Sequence, residues 1–143
     1  IIAFQSDEEL YEAEELLESL SYTGIGGKKN SGMGKFQFRK GKPSPELEKR
    51  LCEKSSRNIL ISTALPAEAE MEAAMDGASY LLEKRSGFVA SADYAPEWRK
   101  KKDLYVFAPG SCFTNRFLGD IYDVSDGGNH AVYRYAKALF LGV

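Results

Sequence analysis

Ile1–Gln5 is a short apolar run that predicts a strand. Ser6 follows as a helix N-cap, with Glu9 at the capping-box spacing, and Leu10, Ala13, Leu17 and Leu20 then recur at helical intervals. One face of this helix is thereby directed to a core, and acidic residues fill the rest. Glu8, Glu9 and Glu12 lie near the positive end of its dipole. A glycine-rich segment, GIGGKKNSGMG, occupies 24–34. Beyond it Phe36 and Phe38 alternate with Gln37 and Arg39, which predicts a half-buried strand over Lys35–Arg39. Pro43 and Pro45 break the chain in a loop from Lys40 to Pro45, and Glu46–Lys54 reads as a short helix. Asn58–Leu65 is a strand rich in Ile and Leu. Pro66 opens a further helix with Met71, Ala74, Met75 and Ala78 on one side and Gly77 near its end. Tyr80–Ala90 is mostly extended, and Ser91–Lys102 is a polar loop containing Tyr94 and Trp98. Strands follow at Leu104–Ala108, Gly119–Val124 and Val132–Leu141, the last entered through a tight turn at Gly127-Gly128-Asn129.

The first six major elements run strand, helix, strand, strand, helix, strand. That order predicts an α+β chain, a ferredoxin-like (RRM-like) βαββαβ domain with additional C-terminal β-strands, spanning 1–143 as one domain. The fold hosts many activities and names none of them. The chain starts at Ile1 without a preceding signal-peptide pattern and reads as an internal or C-terminal piece of a longer protein.

Composition narrows the class. With 43% hydrophobic and 28% charged residues the chain is ordinary globular protein rather than a disordered one. No apolar run reaches the roughly 20 residues of a membrane helix, so no membrane partner is expected. Cys52 and Cys112 are too few for a disulfide scaffold and read as thiols of a cytoplasmic protein. The formal net charge of −2 conceals a segregation: seven acidic and no basic residues from Ile1 to Leu20, against ten basic and three acidic from Lys28 to Arg57. Arg99–Lys102 adds four consecutive cations. Two readings follow, an anionic partner such as nucleic acid on one face, or lysines solvated at the surface.

The glycine loop carries the sharpest chemistry. Gly24, Gly26, Gly27, Gly32 and Gly34 permit positive φ and close backbone approach, and Lys28, Lys29 and Lys35 supply charge. Asn30 and Ser31 add side-chain donors. Successive backbone N–H groups in such a segment form nests for anions, and the set suits a run of phosphates. Gly27 and Gly32 have the spacing of a P-loop, but Met33 and Gly34 stand where Lys and Ser/Thr belong. Lys29 occupies the last glycine place of a dinucleotide fingerprint begun by Gly24 and Gly26. Both motifs also run strand, loop, helix, whereas this loop runs helix, loop, strand. A flexible linker is the alternative.

Leu20–Phe38, centred on GIGGKKNSGMGKF, resembles the G-loop of the RAMP superfamily of CRISPR proteins, where the loop follows the first helix of a ferredoxin-like domain. KRSGFVAS (Lys84–Ser91), DLYVFAPGSCF (Asp103–Phe113), GDIYDV (Gly119–Val124) and VYRYAKALFLGV (Val132–Val143) are similar to the C-terminal half of one family within it. That family is the subunit of type III-A effector complexes that caps the 5′ handle of the guide RNA, the fourth Csm-type subunit. The resemblance implies a non-catalytic RNA-binding and assembly role, with Gly24 to Lys35 on the RNA. It further implies two protein neighbours, the large polymerase-like subunit and the first of the repeated backbone RAMP subunits. Family members carry an additional N-terminal ferredoxin-like domain, which has no counterpart in this chain.

Other candidates are weaker. Arg85-Ser86-Gly87-Phe88-Val89 matches an RNP1 pattern only in part, and Gly87 there fits a bulge. Trp98 beside Arg99–Lys102 is either a stacking residue in a basic loop or the aromatic that packs that loop down. Alternation sends Tyr133, Tyr135 and Lys137 to one face of the last strand, for core or interface packing, and Arg134 to the other. His130, the one histidine, follows a glycine turn and reads as structural or merely exposed. Asp120, Asp123 and Asp126 are not spaced for joint metal ligation on a strand. No catalytic set, metal site or cofactor is therefore expected. Two other function classes stay open: a RAMP endoribonuclease processing precursor guide RNA, and a ferredoxin-like protein-interaction module.

Overall fold

In the computed structural model, residues 2, 4, 6–26, 28, 31–53 and 55–143 are described. The chain divides into two compact units, 1–42 and 43–143, and each is taken by itself.

The first unit is built on helix α1, Asp7–Thr23. The Ser6 hydroxyl accepts the Glu9 N–H at 3.2 Å, and Asp7, Glu8 and Glu9 complement the dipole in the first turn. Gly24, at φ 84°, ends the helix and returns its N–H to the Leu20 carbonyl at 2.7 Å. Leu10, Ala13 and Leu17 are half-buried on the expected face, Leu20 is exposed, and no helix residue is fully buried. In the strand expected at Ile1–Gln5, Ile1, Ala3 and Gln5 lie outside the described residues, and Ile2 and Phe4 belong to no strand.

The strand expected over Lys35–Arg39 does not form. The segment instead returns alongside α1: the Phe36 N–H donates to the Ser21 carbonyl at 3.4 Å, and Lys40 Nζ sits 2.6 Å from Glu14 Oε1. A strand needs a ladder partner, and none among the described residues faces this segment. The alternation survives in part, with Phe36 half-buried and Gln37 and Arg39 exposed, although Phe38 is exposed too.

The second unit starts with helix α2, Pro45–Cys52. Pro45 therefore opens a helix rather than closing a loop, with Ser44 as its cap. At the other end of α2 the Arg116 guanidinium donates to the carbonyls of Arg50, Leu51 and Glu53 and to Asn58 Oδ1 at 2.7 Å. A fixed cation thus satisfies the carbonyls that every helix C-terminus leaves unpaired. Asn58 is buried, and its amide donates to the carbonyls of Ser55, Phe113 and Thr114.

Strand β1, Asn58–Leu60, lies between β4, Cys112–Phe113, and β7, Phe140–Gly142, and is antiparallel to both. The expected strand ran on to Leu65. It is interrupted because the Ser62 hydroxyl donates to the Lys137 carbonyl and accepts the Leu139 N–H in place of a backbone ladder. Ala64 then pairs with Phe107 instead. The helix expected from Pro66 is a 3₁₀ turn, Glu68–Glu70, followed by the short α3, Met71–Met75, with Gly77 at φ 64° beyond it. Strands β2, Leu82–Arg85, and β3, Leu104–Phe107, form one antiparallel ribbon. Strands β5, Gly119–Asp123, and β6, Tyr133–Lys137, form another.

The α+β class therefore stands. The described strands form three antiparallel sheets, the largest three-stranded, and no four-stranded βαββαβ sheet is among them. The core gathers Leu60, Ala64 and Ala74 around Phe107, Phe113, Phe117 and Phe140, whose rings meet mostly edge to face. A second anchor holds the 91–102 loop. Tyr94 is buried, its hydroxyl accepts the Asp126 N–H, and its ring fills the space that a side chain at Gly128 would need.

Candidate functional site

The glycine loop leaves α1 at Gly24 and is closed at its base by backbone alone. The Ile25 N–H donates to the Gly34 carbonyl at 2.9 Å. A Cβ on Gly34 would fall 2.1 Å from the Ile25 carbonyl oxygen, and one on Gly24 would fall 3.0 Å from the Gly34 carbonyl carbon. Gly24 and Gly34 both have positive φ, 84° and 87°. Two glycines thus let the entering and leaving chains touch where any side chain would hold them apart. Gly26 and Gly32 also have positive φ, but open space surrounds them, so conformation alone calls for glycine there. Near the tip, the Ser31 N–H closes a turn onto the Lys28 carbonyl at 3.0 Å.

Lys28, Ser31 and Lys35 are exposed, and neither lysine forms an ion pair among the described residues. The expected contributions of Gly27, Lys29 and Asn30 fall outside the described residues. The geometry is a narrow-necked loop that carries uncompensated positive charge.

An open groove of about 880 Å³ runs from the foot of this loop. Tyr22, Lys35, Phe36, Phe38 and Arg39 line it, with Glu18 on its helix side. The site expected from the sequence ended at Lys35. The groove follows from the return of 35–39 along α1, and the only signal for it was the alternation of aromatics with Gln37 and Arg39.

The remaining candidates are spread over the second unit. His130 is exposed, with Nδ1 2.8 Å from the Ala131 carbonyl, Nε2 2.9 Å from the Ser91 hydroxyl, and its ring edge-on to Tyr94. Asp120 Oδ1 accepts its neighbour's N–H from Ile121. Asp123 accepts from Ser125, and those hydrogen bonds hold its carboxyl below the usual range. No cluster of His, Cys, Asp or Glu able to hold a metal occurs among the described residues. Cys52 and Cys112 are free thiols. Tyr133 and Tyr135 share the outer face of β6 and are exposed, so of their two expected uses, core packing is excluded.

The class so defined is an α+β protein of small antiparallel sheets with a basic glycine loop, in which no helix of the described residues is long and apolar enough to cross a membrane. Comparison with known proteins makes it specific. Residues 53–143 match the family model of the CRISPR Csm4 C-terminal domain. The whole chain is 43% identical to the CRISPR system Cms protein Csm4 of two Mycobacterium tuberculosis strains, CDC 1551 / Oshkosh and ATCC 25618 / H37Rv, covering 46% of those proteins. It is 44% identical over 128 residues to the protein of the same name from Streptococcus thermophilus, 88% of this chain and 42% of that one. The chain belongs to the Csm4 family. It spans a little under half the length of the relatives it matches. The family-model match starts at residue 53, downstream of the glycine loop, whereas the Mycobacterium relatives align through the loop as well.

Proposed function

We propose that this chain is a non-catalytic RNA-binding part of a type III-A CRISPR effector subunit, that it grips the 5′ repeat-derived handle of the guide RNA, and that it helps assemble the complex for antiviral defence in the cytoplasm. The observation that carries this reading is the closed-neck glycine loop with Lys28 and Lys35 unpaired, in a chain of the Csm4 family. Gly24, Gly26, Gly27, Gly32 and Gly34 shape the loop, Lys28, Lys29 and Lys35 meet phosphates, and Asn30 and Ser31 donate to phosphates or riboses. The ferredoxin-like kinship with the RAMP superfamily belongs to the same proposal. So do the two neighbours, the large polymerase-like subunit and the first backbone RAMP subunit.

No nuclease step is proposed. General acid–base cleavage of RNA needs a placed proton donor and acceptor, and the His130 nitrogens lie against Ala131 and Ser91. The test is RNA binding by the full-length protein across a salt series. Replacing Lys28 and Lys29 by Ala weakens binding and flattens the slope of log K against log salt by about 0.7 for each single-strand phosphate that is no longer neutralised. An unchanged slope removes the electrostatic role of the loop, and guide-RNA cleavage that vanishes with His130→Ala overturns the non-catalytic reading.

A further inference from the structure

The two aromatics of the 91–102 loop have opposite fates. Tyr94 is 1% exposed and Trp98 is 85% exposed. Tyr94 alone does the packing: its carbonyl accepts the Asn129 N–H, its hydroxyl accepts the Asp126 N–H, and its ring meets His130 edge-on. The reading of Trp98 as the residue that pins the loop down is therefore excluded. A tryptophan brings the largest apolar surface of any residue, and leaving it in water forfeits that burial.

Trp98 is nevertheless held in place. Phe88, itself exposed, stands edge-on to it with ring centroids 6.0 Å apart. The backbone beneath them is paired: Phe88 bridges to Lys100, the Val89 N–H donates to the Arg99 carbonyl, and the Lys101 N–H donates to the Gly87 carbonyl. The two rings sit on a tied ribbon, not on a free loop.

The charge around them is predominantly positive, with Glu97 and Asp103 as the acidic residues flanking Arg99–Lys102 in the chain. Asp103 is already engaged by Lys84 at 2.8 Å and Lys100 at 3.0 Å. Arg99, Lys101 and Lys102 form no ion pair among the described residues. Burial, and then the like charge of Arg134, hold the Lys101 ammonium below its usual pKa. Asp123 lies near enough to Lys102 to feel its charge, but like charges such as Lys101 and Arg134 are crowded together, and a polyanion relieves that on arrival.

We propose that Trp98 and Phe88 form a stacking platform for an unpaired base of single-stranded RNA, with Arg99, Lys101 and Lys102 taking the adjoining phosphates. This rests on the RNA-binding reading above and adds a second RNA-binding surface, in the unit that does not contain the glycine loop. Aromatic faces bind any splayed base, whereas a duplex keeps its bases stacked on each other, so the site selects single strands. A protein partner fits less well, because the centres of protein interfaces are depleted of lysine.

The experiment measures a labelled single-stranded RNA carrying the guide 5′ handle against the full-length protein. Trp98→Ala weakens binding roughly 5- to 150-fold, the range expected when one base stack is removed, and Trp98→Phe recovers part of it. A ring so exposed is removable without unfolding the chain. Arg99→Ala with Lys102→Ala lowers the salt slope by about 1.4, equivalent to two single-strand phosphates. Unchanged affinity in Trp98→Ala, alongside weakened binding in the Lys28/Lys29 variant, overturns this platform and leaves the glycine-loop reading standing. If the unaltered protein binds no RNA, both readings fall. If Trp98→Ala keeps its RNA affinity but no longer co-purifies with a protein subunit, the surface is a protein interface and the proposal is wrong.

Discussion

Glu70 ties the 3₁₀ turn to the start of β5 with one carboxylate. Its Oε2 accepts the Ala67 and Gly119 N–H groups at 3.0 Å, and its Oε1 accepts that of Leu118 at 2.9 Å. Burial alone raises its pKa, but the donors from Leu118, Ala67 and Gly119 outweigh that and leave it below the ordinary value. A carboxylate with a depressed folded pKa stabilises the fold fully above its unfolded value, about 4.3, and the contribution disappears as pH falls through the folded value. Glu70→Gln therefore lowers the thermal midpoint at pH 7, and the gap to the parent closes as the pH is taken from about 5 towards 3. A gap of constant size over that range would show that the charge contributes nothing. Nothing local in the sequence marks Glu70, because two of its three partners lie 48 and 49 residues away. Asn58 and Arg116 are illegible for the same reason, as side chains whose roles are set by carbonyls distant in the chain. Tyr94 and Trp98 show the limit most sharply: composition placed two aromatics in one loop, and only the fold decides which is buried.

Elements with local causes were legible, and elements with distant causes were not. Ser6 was read as the cap of the helix that follows it because a hydroxyl three residues before a free N–H is enough; Ser44 caps α2 by the same rule but was read as part of a loop, since Pro43 and Pro45 flank it. The strand from Asn58 was expected to be longer, because Ser62 breaks its ladder with side-chain bonds to Lys137 and Leu139. β4 was missed because two residues between turns carry no period. The glycine loop was legible as a motif, but the division of labour among its glycines was not. Gly24 and Gly34 form the neck, where a Cβ has no room, while Gly26 and Gly32 need only positive φ. Gly34→Ala therefore forces the neck open, since relief of a 2.1 Å approach to the Ile25 carbonyl requires backbone movement. Gly32→Ala meets no neighbour and carries only the conformational cost, about 1–2 kcal/mol. Hydrogen exchange at the Ile25 amide, bonded to Gly34, reads the difference: protection disappears in Gly34→Ala and is largely retained in Gly32→Ala. RNA affinity follows the same order, and equal effects of the two substitutions would mean that the neck does not shape the loop.

At the scale of the molecule, the segregation of charge was visible from the first twenty residues, but the distribution of the core was not. Among the described residues, every buried hydrophobic side chain of the core belongs to the second unit, while Tyr11, Leu16 and Tyr22 of α1 stand more than half exposed in the first. The acidic residues of α1 differ in their surroundings. Glu14 is paired with Lys40, and Glu18 lines the groove beside Lys35. Glu12 and Glu15 are exposed in the same helix as Tyr11 and Leu16, and the mixture of carboxylates with uncovered apolar groups suits a protein neighbour and repels RNA. Reversing Glu12 and Glu15 to lysine in the full-length protein, with Glu18 left intact, separates the two roles. Assembly with a protein subunit weakens, because like charge now meets the partner's complementary surface, whereas RNA affinity at the loop holds or rises with the added positive charge. Co-purification from cells with guide RNA present reads the first effect, and RNA titration of the purified protein reads the second. A reversed protein that still assembles at normal stoichiometry makes this face of α1 a solvated surface. The neighbour would then be sought on the β5–β6 ribbon, where Ile121, Tyr133 and Tyr135 are 46%, 68% and 65% exposed on one face and nothing in the fold covers them among the described residues.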